Sequence, residues 1–242
     1  VLLGRFASRL PPAALRSLAG SFVLSAFAAT ASPLRAQLKD LPVYGLTAVA
    51  SGLSAGLDYG SGLNAASGRG RHVGGHLSAN RGRLRVSLAG GLWDPGRETA
   101  LQLGGTIAVR ALGNRQHGFV LEGILGAGAV RIGPADTATR YLQIPAGVVL
   151  SRRGVASRRG PITPWVSLRA EVDRIWFAGN RTDQTGLGAG MGASVQVSRR
   201  LGLHGALDWL ALAARSGRGL SLPARRPVTV GLGMHFLVAP RP

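Results

Sequence analysis

From about residue 46 to the last residues, hydrophobic side chains recur at every second position, in stretch after stretch. Leu84, Val86, Leu88 and Leu92 make one such series, Leu101, Leu103, Ile107 and Val109 the next, and Leu201, Leu203, Leu207 and Trp209 a late one. Side chains alternate across a strand, so a period of two gives one apolar and one polar or small face. Gly, Pro, Asn, Asp and Arg clusters separate the stretches. Ten strands are predicted, near 46–60, 71–80, 83–93, 99–110, 117–131, 139–151, 163–176, 185–198, 201–213 and 227–238. Eight is the nearest alternative. No helical period of useful length and no apolar run of membrane-helix length follows residue 37.

The polar parity carries full charges in mid-strand. Arg85, Glu122, Arg169, Glu171, Asp173, His204 and Asp208 all lie on it, with Gln102, Gln143 and His235. The apolar parity carries almost none; Arg131 and Arg174 lie near strand ends, where a long side chain can reach water. Strands of 10–14 residues exceed the five or six usual in soluble sheets and suit tilted membrane strands. Aromatics fall in two groups. Tyr59, Trp93, Tyr141, Trp176 and Phe177 lie near one rim and Phe119, Trp165 and Phe236 near the other, although Trp93, Tyr141 and Trp165 are on the polar parity. The expected fold is therefore all-β, an antiparallel up-and-down transmembrane β-barrel whose apolar face meets lipid.

Residues 1–36 differ from the rest. Arg5, Arg9 and Arg16 precede the apolar run 17–29, and small residues follow, with cleavage expected after Ala31 or Ala36. This is the pattern of a secretory signal peptide, leaving 37–242 as the barrel domain. The formal charge of +19 first suggests nucleic acid. Lys39 is the sole lysine, however, and the arginines are scattered through turns and not gathered in one patch, so no nucleic-acid partner is expected. Absence of Cys removes disulfides and thiolate metal sites. No metal-ligand spacing is found, and the 186–192 run GLGAGMG lacks the following helix that a phosphate loop needs, so no cofactor is expected.

The chain resembles the small outer-membrane β-barrel proteins of Gram-negative bacteria, the OmpA-like and OmpX-like group. The likeness covers about 44–238 and rests on the signal, the dyad strands and the closing strand. In that group the last strand alternates apolar residues up to an aromatic. Here Val228, Val230, Leu232, Met234 and Phe236 fit, with six further residues after Phe236. The resemblance implies outer-membrane residence after export, recognition of that strand by the barrel assembly machinery, and contact with outer-membrane lipids and lipopolysaccharide.

Within this frame the inward charges read as an ion-paired network that fills the lumen, in a non-enzymatic protein serving membrane integrity or surface interaction. A turn at 180–181 sets Arg169 opposite Gly192, Glu171 opposite Gly190 and Asp173 opposite Gly188. Turns at 80–83 and 94–97 set Ser78 opposite Arg85 and Leu88 opposite Leu103. Loop residues Arg69, Arg71, Arg215, Arg218, Arg225 and Arg226 are candidates for lipopolysaccharide phosphates, since a guanidinium binds phosphate through two parallel bonds. Three other functions remain open. The first is a narrow channel or carrier. The second is a barrel lipid hydrolase using His76 and Ser78, whose nearest downstream acid on the chain is Asp94. The third is a soluble secreted barrel binding a small ligand.

Overall fold

In a computed structural model the described residues are 52–240, apart from 68–69, 95, 97–98, 114–117, 135–137, 153–160 and 218–219. The expected signal peptide, the residues before 52 in the first predicted strand, Arg69 and Arg218 lie outside them. Twelve strands form: β1 (Gly52–Gly62), β2 (Arg71–Arg81), β3 (Leu84–Asp94), β4 (Ala100–Leu112), β5 (Phe119–Ile132), β6 (Thr139–Arg152), β7 (Ile162–Phe177), β8 (Asn180–Gln196), β9 (Leu201–Leu212), β10 (Arg215–Gly217), β11 (Leu220–Leu222) and β12 (Val228–Pro240). Ten of them, β1–β9 and β12, close into one barrel in which every chain neighbour pairs and β12 returns to β1. The barrel is up-and-down and antiparallel throughout, with ten strands and not eight. Closure leaves no unpaired sheet edge. The small β10–β11 hairpin stands in the 213–227 loop, and one 3-10 turn, Ala65–Ser67, stands in the 63–70 loop.

The two parities separate as the alternation requires. Leu101, Leu168, Leu187 and Leu232 on the outer parity are each more than 60% exposed, whereas Val149, Glu171 and Gln184 on the inner parity are 0–1% exposed. A row of large apolar side chains thus faces outward around the whole circumference. Among the described residues the interior has polar levels and two apolar clusters, in one of which Trp165 packs with Ala108, Ile124, Val149 and Ala206. Trp93 is buried with Ala100 and Val130, so the two tryptophans on the polar parity line the interior and not a lipid rim. Tyr59, Phe119 and Phe236 are exposed on the outer wall, and Phe177 is exposed at the end of β7 beside the turn.

Register differs from expectation in three hairpins, always by an even number of residues. Ser78 pairs with Ser87 and Leu88 with Gly105. Arg169 pairs with Gly188, Glu171 with Gly186 and Asp173 with Gln184. The cause is tight turn chemistry. The β7–β8 connection is the two-residue turn Ala178–Gly179, with φ of 48° and 78°, the double left-handed conformation of a type I′ hairpin. In the β2–β3 turn Gly82 supplies the positive φ of 59°. Even shifts leave each side chain on its face, so the inward and outward sets survive the slip.

The closing strand does not end at Phe236. Pairing with β1 continues past a bulge to Pro240, with Ser54 opposite Leu237 and Leu53 opposite Ala239. Leu237 turns inward and Val238 outward. The residues after Phe236 extend the seam by nearly one further turn of the pleat.

Candidate functional site

Seven sequence-predicted lumen residues all point inward and are buried: Arg85, Glu122, Arg169, Glu171, Asp173, His204 and Asp208. They form three groups and not one. In the first, Arg169 donates from Nη1 and Nη2 to the two carboxylate oxygens of Asp208 at 2.6 and 2.7 Å, and from Nε to Glu171 Oε2 at 3.1 Å. Gln143 Nε2 donates to the other Glu171 oxygen at 3.2 Å. Asp173 follows Glu171 on the same face of β7, opposite Gln143 and Gln184. The second group is Arg85, whose Nη2 donates to Glu122 Oε2 at 3.1 Å across the lumen from β3 to β5.

The third is centred on Asp58, which sequence reasoning missed. Its Oδ2 accepts from His76 Nδ1 at 2.6 Å and its Oδ1 from His204 Nε2 at 2.7 Å. His235 stacks on His204, with ring centroids 5.7 Å apart and the two Nδ1 atoms at 3.5 Å. His204 and Asp208, on one strand and one face, therefore serve different partners. Asp58 was legible by parity, since it alternates with Ser54 and Gly56 in a stretch whose Leu53 and Leu57 face out.

Glycine makes these groups fit. Arg169 lies between Gly147 and Gly188 on the flanking strands, Asp58 between Gly74 and Gly233, and His235 between Gly56 and Gly202. A methyl group at Gly188 would stand 2.6 Å from the Arg169 guanidinium carbon, and one at Gly190 would stand 2.8 Å from Asp208 Oδ1. Large charged side chains can lie flat across the lumen because the neighbouring inward positions have no side chain.

The chemistry available is structural ion pairing. Among the described residues no group of three or more His, Asp or Glu could hold a metal ion. Asp58 supplies the carboxylate that the sequence did not offer His76, yet Ser78 donates to Ser87 Oγ at 2.7 Å and not to His76. Both His76 and Ser78 are buried in the lumen, away from the lipid-facing wall. At the mouth, Gln184 Nε2 donates to the carbonyls of Ala213 and Pro223 and its Oε1 accepts from Arg225 Nη2, tying the 213–227 loop to β8. Arg225 is thus half-buried against the barrel, whereas Arg71, Arg215 and Arg226 are exposed. The five predicted assembly-signal residues, Val228, Val230, Leu232, Met234 and Phe236, share the outer parity of β12; all pair with β9, and the four from Val230 on pair also with β1.

No protein-family model and no curated protein sequence matches the chain. Solved structures do. Neisserial surface protein A matches at 13% identity with a TM-score of 0.37, covering 78% of this chain and 99% of its own. The N-terminal barrel of OprF from Pseudomonas aeruginosa matches at 9% and 0.33, covering 78% and 98%. The outer membrane protease OmpT from Escherichia coli matches at 11% and 0.40, covering 77% and 93%. These likenesses concern fold alone. The barrel assignment itself stands on the strand pairing of this chain.

Proposed function

We propose that this chain is an integral outer-membrane β-barrel protein, non-enzymatic, with a lumen closed by its own side chains and a role in membrane integrity or surface interaction. One observation carries the reading: the apolar parity is exposed around the closed barrel while the charged parity is buried and paired inside it. A soluble barrel would place these faces the other way round, because exposed apolar surface on this scale is stable only against lipid. Arg169, Asp208, Glu171, Arg85 and Glu122 join strands across the lumen and oppose a water-filled path of diffusion-pore width.

The proposed partners are outer-membrane lipids, lipopolysaccharide at the exposed Arg71, Arg215 and Arg226, and the assembly machinery at β12. Fractionation with a heat-shift assay in detergent gels tests the placement. The expected result is outer-membrane residence and a folded band that moves on heating; a soluble protein with no shift refutes it. In planar bilayers the closed lumen predicts no steady conductance. A conductance altered by Arg169→Gln would convert the reading to a narrow channel.

A further inference from the structure

Charge is divided unevenly between the two rims of the barrel. One rim holds the start of β1, the end of β12 and the connections β2–β3, β4–β5, β6–β7 and β8–β9. Arg81 and Arg83 flank Gly82 in the first of these connections, Arg152 ends β6, and Arg199 and Arg200 stand in the last. All five are exposed. Among the described residues, the only carboxylate near the strand ends of this rim is Glu122, which lies inside the lumen and accepts from Arg85. The described carboxylates outside the lumen, Asp94 and Asp183, stand at the opposite rim.

The two tight turns fix the backbone of these arginines and leave their guanidinium groups unused. In the β8–β9 turn Ser198 Oγ accepts from the backbone amides of Arg200 and Leu201 at 3.3 and 3.1 Å, and the Arg200 carbonyl accepts from Leu237. In the β2–β3 turn the Gly82 carbonyl accepts from Arg110 Nη2 at 3.0 Å, and the Arg83 carbonyl accepts from the Arg110 amide. The side chains of Arg81, Arg83, Arg199 and Arg200 bond to no described residue. Arg110 adds a further cation beside Gly82.

These cations lie at the edge of the lipid-facing wall. Arg81 pairs with Leu84 and Arg152 with Phe119, partners that are 45% and 59% exposed on the outer parity. The Arg152 guanidinium carbon stands 5.6 Å from the centroid of the Phe119 ring. Phe236 is exposed on the same edge and pairs with Leu201, next to Arg200. Aromatic rings at the end of an apolar band mark the headgroup level. A cation that continues the apolar wall on its own parity meets the headgroup of a lipid lying on that wall.

We propose that this rim binds the phosphate groups of anionic phospholipids of the phosphatidylglycerol type. Arg81 and Arg83 serve one lipid, whose acyl chains lie along Leu77 and Leu84. Arg199 and Arg200 serve another, whose chains lie along Val197 and Phe236. Each guanidinium donates to phosphate oxygens. Cations without a carboxylate among them favour a lipid of net negative charge over a zwitterion with the same phosphate. The inference deepens the outer-membrane reading, rests on it, and uses none of the loop arginines named there.

Native mass spectrometry of the whole barrel released from detergent tests it, with phosphatidylglycerol, phosphatidylcholine and lipid A as probes. Phosphatidylglycerol should be retained at least fivefold better than phosphatidylcholine. Arg81→Ser with Arg83→Ser, and separately Arg199→Ser with Arg200→Ser, should each lower phosphatidylglycerol retention about threefold. Both pairs should keep the heat shift of the parent, because the four side chains make no bond within the barrel. Equal retention of phosphatidylglycerol by the parent and both pair variants overturns the site, while a normal heat shift leaves the barrel reading standing. Phosphatidylcholine held as well as phosphatidylglycerol, or lipid A held better and lost in the same variants, overturns the choice of ligand. A protein found soluble, with no heat shift, overturns both readings.

Discussion

Replacing Arg169 by Met should be the most damaging single change in the lumen. The guanidinium is fully buried and makes two bonds to Asp208 and one to Glu171, all between 2.6 and 3.1 Å. Met keeps most of the volume and removes the charge. Glu171 and Asp208 then stand in the lumen with no cation within bonding reach on the strands that hold them, and Asp173 adds a third carboxylate on the same face. Removing one member of a buried ion pair typically costs about 3–5 kcal/mol, because the abandoned partner keeps its desolvation penalty. Two buried carboxylates bonded to one lost cation place the expectation at the upper part of that range. Asp208→Asn alone should cost less, about 2 kcal/mol, since the amide still accepts one guanidinium bond and Glu171 still balances the charge. In the double variant Arg169→Met with Asp208→Asn the two losses should not add; the total should fall about 2–3 kcal/mol short of their sum. Urea-dependent folding into phospholipid vesicles, followed by heat shift and by tryptophan fluorescence, reads all four proteins. A single variant Arg169→Met within about 1 kcal/mol of the parent, or strict additivity in the cycle, refutes the view that this network holds the barrel together.

Three further outcomes use the same folding assay. Gly188→Ala sets a methyl against the pinned Arg169 side chain and should cost about 1–3 kcal/mol, whereas Gly123→Ala, whose new methyl meets only Val109 O at 4.0 Å, should be neutral or gain up to about 1 kcal/mol. Leu168→Arg in mid-strand on the outer wall should cost about 2–4 kcal/mol, and Val238→Arg near the end of β12 about 0–1 kcal/mol; equal costs at the two depths would deny the lipid band. Ala178→Gly relieves a non-glycine residue at a φ of 48° and should stabilise by up to about 1 kcal/mol, while Ala178→Val should destabilise; a neutral Val variant would contradict the type I′ turn.

The barrel was legible because its signal is repeated. Each strand sorts its own residues, so an error of several residues at a boundary leaves Leu84, Leu101 or Leu203 on the outer face and Arg169 or Asp208 inside. Register was less legible, because it depends on turn type and not on strand composition. The 178–183 stretch offers several places to turn, and only the φ values of Ala178 and Gly179 decide among them. Partners were less legible still. Arg85 and Glu122 lie 37 residues apart and His204 and Asp58 146 apart, distances fixed by barrel closure and stagger. Sequence could place those side chains on one face but could not say which carboxylate each cation would reach. The end of the last strand, expected at 238, was legible only in part, since it reaches Pro240 by pairing with β1 from the far end of the chain.

The glycine content follows from the same geometry. A ten-stranded barrel is narrow enough for side chains to meet across it, and an inward face made wholly of Arg, Glu, His and Gln would overfill it. Alternation solves the volume problem only if large polar residues are opposed by residues with none. Gly147 and Gly188 beside Arg169, Gly74 and Gly233 beside Asp58, and Gly56 and Gly202 beside His235 are that solution at three places around the wall. Glycine weakens a strand by its backbone entropy, and each of these positions loses that stability locally. Across the lumen the loss is offset by ion pairs that the vacancies admit, such as Arg169 with Asp208. The outer wall follows a different rule, because lipid sets no volume limit there. Its large residues are opposed by large and small residues alike, Leu92 by Leu101 and Leu203 by Met234 but Leu88 by Gly105 and Leu232 by Gly205.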